Sequence, residues 1–162
     1  MKNTIVVLSL WLIGFSVLAG DDLPKAKVIS VIDGNTLTLL NSNGEQFKLI
    51  LYGIDSPDSG QNFAMEAKKA LTSMLLNKEV IIIPHGKDRY GNLLGEVKPD
   101  NNTDVNFELL VAGLAWTTEQ NDELESLKQH ARARGVGLWA DENPTPPWLW
   151  RRHQSMMQSK SN

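Results

Sequence analysis

This sequence predicts an α+β fold, with five short strands and three helices between and after them. Three observations carry the prediction. Stretches of alternating, β-branched character end at turn signals such as Asp33-Gly34 and Asn43-Gly44. Further along, apolar residues recur at helical spacing. The chain has 162 residues, 41% of them hydrophobic and 22% charged, which suits one domain with a real core.

The elements follow in chain order. Residues 25–32 form the first strand and stop at Asp33-Gly34; residues 36–40 form the second, and Asn41-Ser42-Asn43-Gly44 turns the chain. The third runs over 46–54 and ends at Asp55-Ser56-Pro57. Two successive hairpins imply a meander. Phe63, Ala67, Ala70, Leu71, Met74 and Leu75 share one face of a helix over about 63–76. The run 79–84 is almost continuously apolar, as expected of a strand buried on both faces. Tyr90-Gly91-Asn92 turns into a fifth strand over 93–98. A short helix over 105–112 stops at Gly113, and a last one over 122–134 stops at Gly135. An OB-type five-stranded barrel fits this count.

The N-terminal segment reads differently. After Met1-Lys2 comes an apolar run from Ile5 to Leu18, interrupted only by Ser9, Gly14 and Ser16, with small residues at Ala19 and Gly20. Residues 1–20 are therefore expected to be a secretory signal peptide, since the run falls short of the roughly 20 residues of a membrane span. Lipid anchoring after Leu18-Ala19-Gly20 needs a cysteine next, and position 21 is Asp21. The expectation is an exported protein, periplasmic or secreted, with no membrane anchor after cleavage. Residues 21–142 form the folded domain, and residues 143–162 form a tail containing Pro, Trp and Arg, its polar end from 154 onward frayed.

Composition excludes some chemistry. There is no cysteine, so disulfides and thiolate zinc sites are ruled out. His85, His130 and His153 lie far apart and read as surface residues. The formal net charge is −3, so binding to a phosphate backbone requires a local basic patch or a bound cation.

Several motifs stand in a telling order: Val31-Ile32-Asp33-Gly34-Asn35-Thr36, Tyr52-Gly53-Ile54-Asp55-Ser56-Pro57-Asp58, Glu66-Ala67-Lys68-Lys69, Asp88-Arg89-Tyr90-Gly91-Asn92, Val105-Asn106 with Leu109 to Ala115, and Gly137-Leu138-Trp139. Together, over about 25–139, they resemble the calcium-dependent staphylococcal nuclease (thermonuclease-like) family. That resemblance implies an OB-type barrel with three helices. It also implies a site in which calcium polarises a phosphate, a carboxylate activates water, and positive donors neutralise the phosphoryl oxygens.

Carried over by position, the implied calcium ligands are Asn35, Asp55 and the Ser56 carbonyl, with Asp33 as a supporting carboxylate. The family has aspartate where this chain has Asn35, so calcium binding is expected to be weakened. Asp58 replaces the family's glutamate base and is one methylene shorter, and a misplacement of about 1 Å can cost roughly a hundredfold. The two arginine positions that grip phosphate fall on Ile50 and Asn92, neither of them charged. Lys48 shares a strand face with Ile50 and is a possible partial substitute, whereas the neighbour spacing of Arg89 points it elsewhere.

The expectation is a catalytically impaired or inactive homologue that binds nucleic acid or a protein partner, most simply as a monomer. The alternative is an active calcium-dependent endonuclease that hydrolyses DNA or RNA with a remodelled site. The basic and aromatic supply for a nucleic acid is Lys25, Lys27, Lys48, Lys87 and Arg89, with Trp148, Trp150, Arg151 and Arg152 in the tail. Trp116, Trp139 and Trp148 also read as packing residues.

Overall fold

The computed structural model describes residues 24 to 160, so the predicted signal peptide lies outside the described residues. Five strands close into a barrel: β1 (Lys25–Val31), β2 (Thr36–Asn41), β3 (Gln46–Leu51), β5 (Glu79–Lys87) and β6 (Leu93–Pro99), in the order β1-β2-β3-β6-β5. β5 returns to β1 and completes the ring. All neighbours are antiparallel except β3 and β6, which run parallel. A parallel pair needs a long crossover. Helix α1 (Ala64–Leu75) and β5 lie within it.

Alternation decides what points inward. Leu37, Leu39, Leu49, Leu51, Val80 and Ile82 fill the barrel, and α1 adds Ala67, Leu71 and Leu75 to the same core. The predicted double burial of 79–84 is not what forms. Val80 and Ile82 are buried, but Ile81 and Ile83 are only half-buried on the outer face of the sheet. The continuous apolar run therefore reflects one core face and one partly covered face.

The predicted third strand is broken at Tyr52-Gly53. Gly53 adopts a positive φ of 84°, and the chain resumes as β4 (Ile54–Asp55), which pairs with β7 (Trp116–Thr117) in a separate two-stranded ribbon. Helix α2 (Val105–Val111) opens with Asp104 accepting from the Phe107 amide, and α3 (Asp122–Ala133) with Asn121 accepting from the amides of Glu123 and Leu124. A 3₁₀ turn, Gly137–Ala140, closes this region, with the Leu138 amide donating to the Gly113 carbonyl at 2.8 Å.

The main departure from the sequence reading is the tail. Instead of fraying from residue 154, it forms a fourth helix, α4 (Pro147–Lys160). Pro147 opens that helix, where a missing N–H costs nothing. Trp148 meets Trp116 edge-on at 5.8 Å, and Trp116 meets Trp139 in the same way at 4.6 Å. Beyond Trp150 the helix side chains through Ser159 are exposed, although Arg151 still reaches back to the body. Among the described residues no helix is long and apolar enough to cross a membrane.

Candidate active site

The ends of β1, β2 and β3 bring two sequence-distant loops together. In the first, the Asp33 carboxylate accepts from the Asn35 amide at 3.0 Å and so closes its own turn. The Ile32 amide donates to the Thr36 carbonyl and the Leu51 amide to the Asn35 carbonyl, both at 2.8 Å. In the second, Ser56 reaches back: its hydroxyl donates to the Gly34 carbonyl at 3.1 Å and its amide to Asn35 Oδ1 at 3.4 Å. Gly34 is needed for this approach. A Cβ there would lie 2.5 Å from the Ser56 Cβ and 2.7 Å from the Ala67 Cβ.

Other elements fix the second loop from behind. Asn106 on α2 donates its side-chain amide to the Tyr52 carbonyl at 2.8 Å, and the Thr118 amide donates to the Gly53 carbonyl at 3.0 Å. Asp55 sits opposite Trp116 in the β4–β7 pair. Asp58 donates its amide to Gln61 Oε1 at 2.9 Å, and the Gln61 side-chain amide donates to the Thr145 carbonyl at 2.8 Å. The loop is thereby attached to the chain that leads into α4.

The result is an open cleft of about 490 Å³. Asp33, Asn35, Asp55 and Asp58 line it together, so four of the expected site residues share one wall. Ile50 lines it as well and brings no charge. Lys48, on the same strand face, is exposed and is not part of the lining. Asn92 is not part of the lining either. Its side-chain amide turns away to donate to Asp88 Oδ2 at 2.8 Å.

Two arginines do line the cleft. Arg89 was expected to point elsewhere, but it lines the wall with its guanidinium 4.7 Å above the Tyr90 ring. Arg151 comes from the start of the second turn of α4. Its Nη2 donates to Asp55 Oδ2 at 2.6 Å and its Nη1 to Asp55 Oδ1 at 3.3 Å. The same Nη1 donates to both oxygens of Asp58, at 3.2 and 3.0 Å. One guanidinium thus bridges the implied metal ligand and the implied base. Sequence reasoning placed Arg151 among tail residues for nucleic acid and missed this role. The available signal was spacing: Pro147, Trp148 and Arg151 fall on one helix face, and Pro147 is buried. The remaining nucleic-acid candidates, Lys25, Lys27, Lys48, Lys87 and Arg152, are exposed, with Lys25 and Lys27 on β1.

Burial sets the electrostatics. The Asp55 side chain is 12% exposed, and desolvation pushes its carboxyl above the ordinary carboxylate range against the opposing pull of Arg151. Asp58 moves the same way, for the same first cause. Hydrogen bonding to Asp55 in turn raises Arg151. The pair is thus coupled in opposite senses at its two ends: Arg151 gains from it, while at Asp55 burial outweighs it. We read this as a carboxylate wall that requires a counter-cation, which Arg151 supplies.

Calcium takes about six to eight oxygen ligands. Here both Asp55 oxygens accept from Arg151, and Asn35 Oδ1 accepts from the Ser56 amide. Among the described residues no group of three or more His, Cys, Asp or Glu is arranged to hold a metal ion. With α4 docked, these residues do not fit a divalent cation.

The comparisons with known proteins point the same way as the fold. Residues 48–141 match the family described as staphylococcal nuclease homologue. The chain belongs to the staphylococcal nuclease family. It is 34% identical to an uncharacterized endonuclease of Haemophilus influenzae, over 96% of this chain and 90% of that protein. It is 32% identical to an uncharacterized endonuclease of Escherichia coli, over 90% of this chain and 95% of that protein. A micrococcal nuclease of Shigella flexneri is 30% identical over 79% of this chain and 80% of that protein. The closed mixed barrel with helices agrees with this family and with the architecture expected from the sequence, with one helix more.

Proposed function

We propose that this chain is a catalytically impaired member of the staphylococcal nuclease family whose cleft binds a ligand rather than cutting one. One observation carries the reading. At the two positions where the family resemblance requires phosphate-gripping arginines, Ile50 presents an apolar side chain to the cleft and Asn92 spends its amide on Asp88. Catalytic arginines in phosphoryl transfer are worth roughly 10³ to 10⁵ in rate. The shortened carboxylate at Asp58 and the uncharged Asn35 weaken the site further.

The ligand reading follows from charge. Asp33, Asp55, Asp58, Asp88 and Glu119 line the cleft against Arg89 and Arg151, so carboxylates outnumber cations. A phosphate backbone is disfavoured at such a wall, and a protein segment carrying basic side chains is favoured. A nucleic acid remains the other outcome of the test. The apolar run of residues 5–18 supports an exported protein that meets this partner outside the cytosol.

A second reading has one observation in its favour. Arg89 and Arg151 return two guanidinium groups to the cleft, which would suit an endonuclease with a remodelled site.

Incubation of the chain with DNA and RNA, with added calcium and with chelator, separates the readings. No cleavage above an Asp55→Ala control is expected. Calcium-dependent cleavage that vanishes in Asp55→Ala would overturn the impaired reading. The triple change Asn35→Asp, Ile50→Arg, Asn92→Arg is expected to gain cleavage once it is combined with Arg151→Met, which frees both Asp55 oxygens. Titration with a DNA or RNA oligonucleotide and, separately, with a Lys- and Arg-rich peptide identifies the ligand; both contacts weaken with salt, so the probe that binds is what separates them.

A further inference from the structure

Arg151 makes every hydrogen bond that the geometry gives its terminal nitrogens to Asp55 and Asp58. The arrangement is built. Asp55 is the deep partner and Asp58 the shallower one, at 12% and 30% side-chain exposure. Trp148 locks the first turn of α4 onto Trp116, the residue opposite Asp55 in the β4–β7 ribbon. Trp150 lies against Gly60, where an added Cβ would stand 3.4 Å from the ring. Gln61 ties the Asp58 loop to Thr145, just before the helix. These contacts of residues 145–150, just ahead of Arg151, fix where its guanidinium meets the two carboxylates.

The charge is also matched. Three carboxylates crowd this wall, and Asn35 beside them is neutral, so a monovalent cation removes a large part of the excess. A guanidinium is more weakly hydrated than an ammonium and presents a planar fork of donors, which suits two neighbouring carboxylates.

We propose that Arg151 is the resident cation of this site: the docked C-terminal helix and a divalent metal ion compete for Asp55 and Asp58, and the helix holds them. The proposal deepens the impaired reading above and is tested by binding, so it can fail while the cleavage result stands, and the reverse.

The test is calcium titration of the full chain by calorimetry, with terbium luminescence sensitised by the nearby tryptophans as a second readout. The parent is compared with Arg151→Met, which keeps the aliphatic stem, and Arg151→Lys, which keeps the charge. Arg151→Met is expected to bind calcium at least tenfold more tightly than the parent. Arg151→Lys is expected to stay within about threefold of the parent, because a point charge still neutralises the pair. Adding Asp55→Asn to Arg151→Met should abolish the gain. Equal or weaker calcium binding by Arg151→Met overturns the proposal, as does identical binding by the Met and Lys variants. The readout is affinity, and a circular-dichroism melt of each variant confirms that the barrel remains folded.

Discussion

Two loops at the mouth of the barrel keep their acidic residues, and they satisfy them in opposite ways. The 88–92 turn is self-contained. Asp88 accepts from the amides of Tyr90 and Asn92 and from the Asn92 side chain, all within its own turn. Those hydrogen bonds, that of the Asn92 side chain first, hold its carboxyl below the ordinary range. The 55–58 loop has no such local supply. Burial drives Asp55 and Asp58 up, and their cationic partner arrives from residue 151. A turn closed by its own side chains survives any change elsewhere. A carboxylate pair dependent on a distant helix is a conditional site, and its state reports whether that helix is docked.

The largest predicted effect attacks the support of the conditional loop. Gly34→Ala places a methyl within 3 Å of both Ser56 and Ala67, and neither neighbour is the flexible end of a side chain. Overpacking of this kind costs about 3 kcal/mol at the upper end of its usual range. Urea unfolding should show a lower midpoint with little change in slope. The corresponding change at the self-contained turn, a shortening of Asn92, should leave the midpoint far less altered.

Next in size is Arg151→Met. Breaking a fully buried pair costs about 3–5 kcal/mol, but this guanidinium is half-exposed and screened by solvent, so about 1–2 kcal/mol is expected at neutral pH. The sign of the pH response is fixed by the raised carboxyls. With folded values above the unfolded ones, protonation favours the folded state, and that contribution is lost as pH rises through the folded values. Trp148→Ala should follow at about 1 kcal/mol, from one lost edge-to-face contact. It should also speed amide exchange in the first turn of α4 while leaving β5 and β6 protected.

All three turns were legible from their own residues, because Asp33-Gly34, Asp55-Ser56-Pro57 and Tyr90-Gly91 impose local geometry whatever surrounds them. The barrel was legible for a similar reason: alternation over β1, β2 and β3 is a local pattern that sets a global face. The partners of the acids were harder to read. Asn92 was expected as a lost charge, and only its conformation shows the amide aimed at Asp88. Arg89 was misdirected because strand alternation does not apply inside a turn, where its guanidinium settles above Tyr90. The Arg151 pairing depends on α4, and α4 went unread because its polar second half lacks an apolar stripe while its anchoring tryptophans resemble a Pro-Trp staple. Long-range pairs between a loop and a terminal helix leave no periodic trace in sequence.

The smallest predicted effect sharpens the contrast most directly. Asn92→Ala removes one of the hydrogen bonds to Asp88 and leaves the backbone donors of Tyr90 and the residue at 92 in place. The Asp88 carboxyl should then move up toward its ordinary value, read by an NMR titration of the side-chain carbon. The stability consequence has the opposite sign to that of the 55–58 loop. A depressed folded value means stability that is present above the unfolded value of about 3.9 and lost as pH falls through the folded value. Acid melts of the parent and of Asn92→Ala should therefore converge below that window and differ slightly above it. A titration curve for Asp88 unchanged by Asn92→Ala would mean that the backbone amides alone set its ionisation, and the self-contained character of the turn would then lie in its main chain rather than in the side chain that stands at the arginine position.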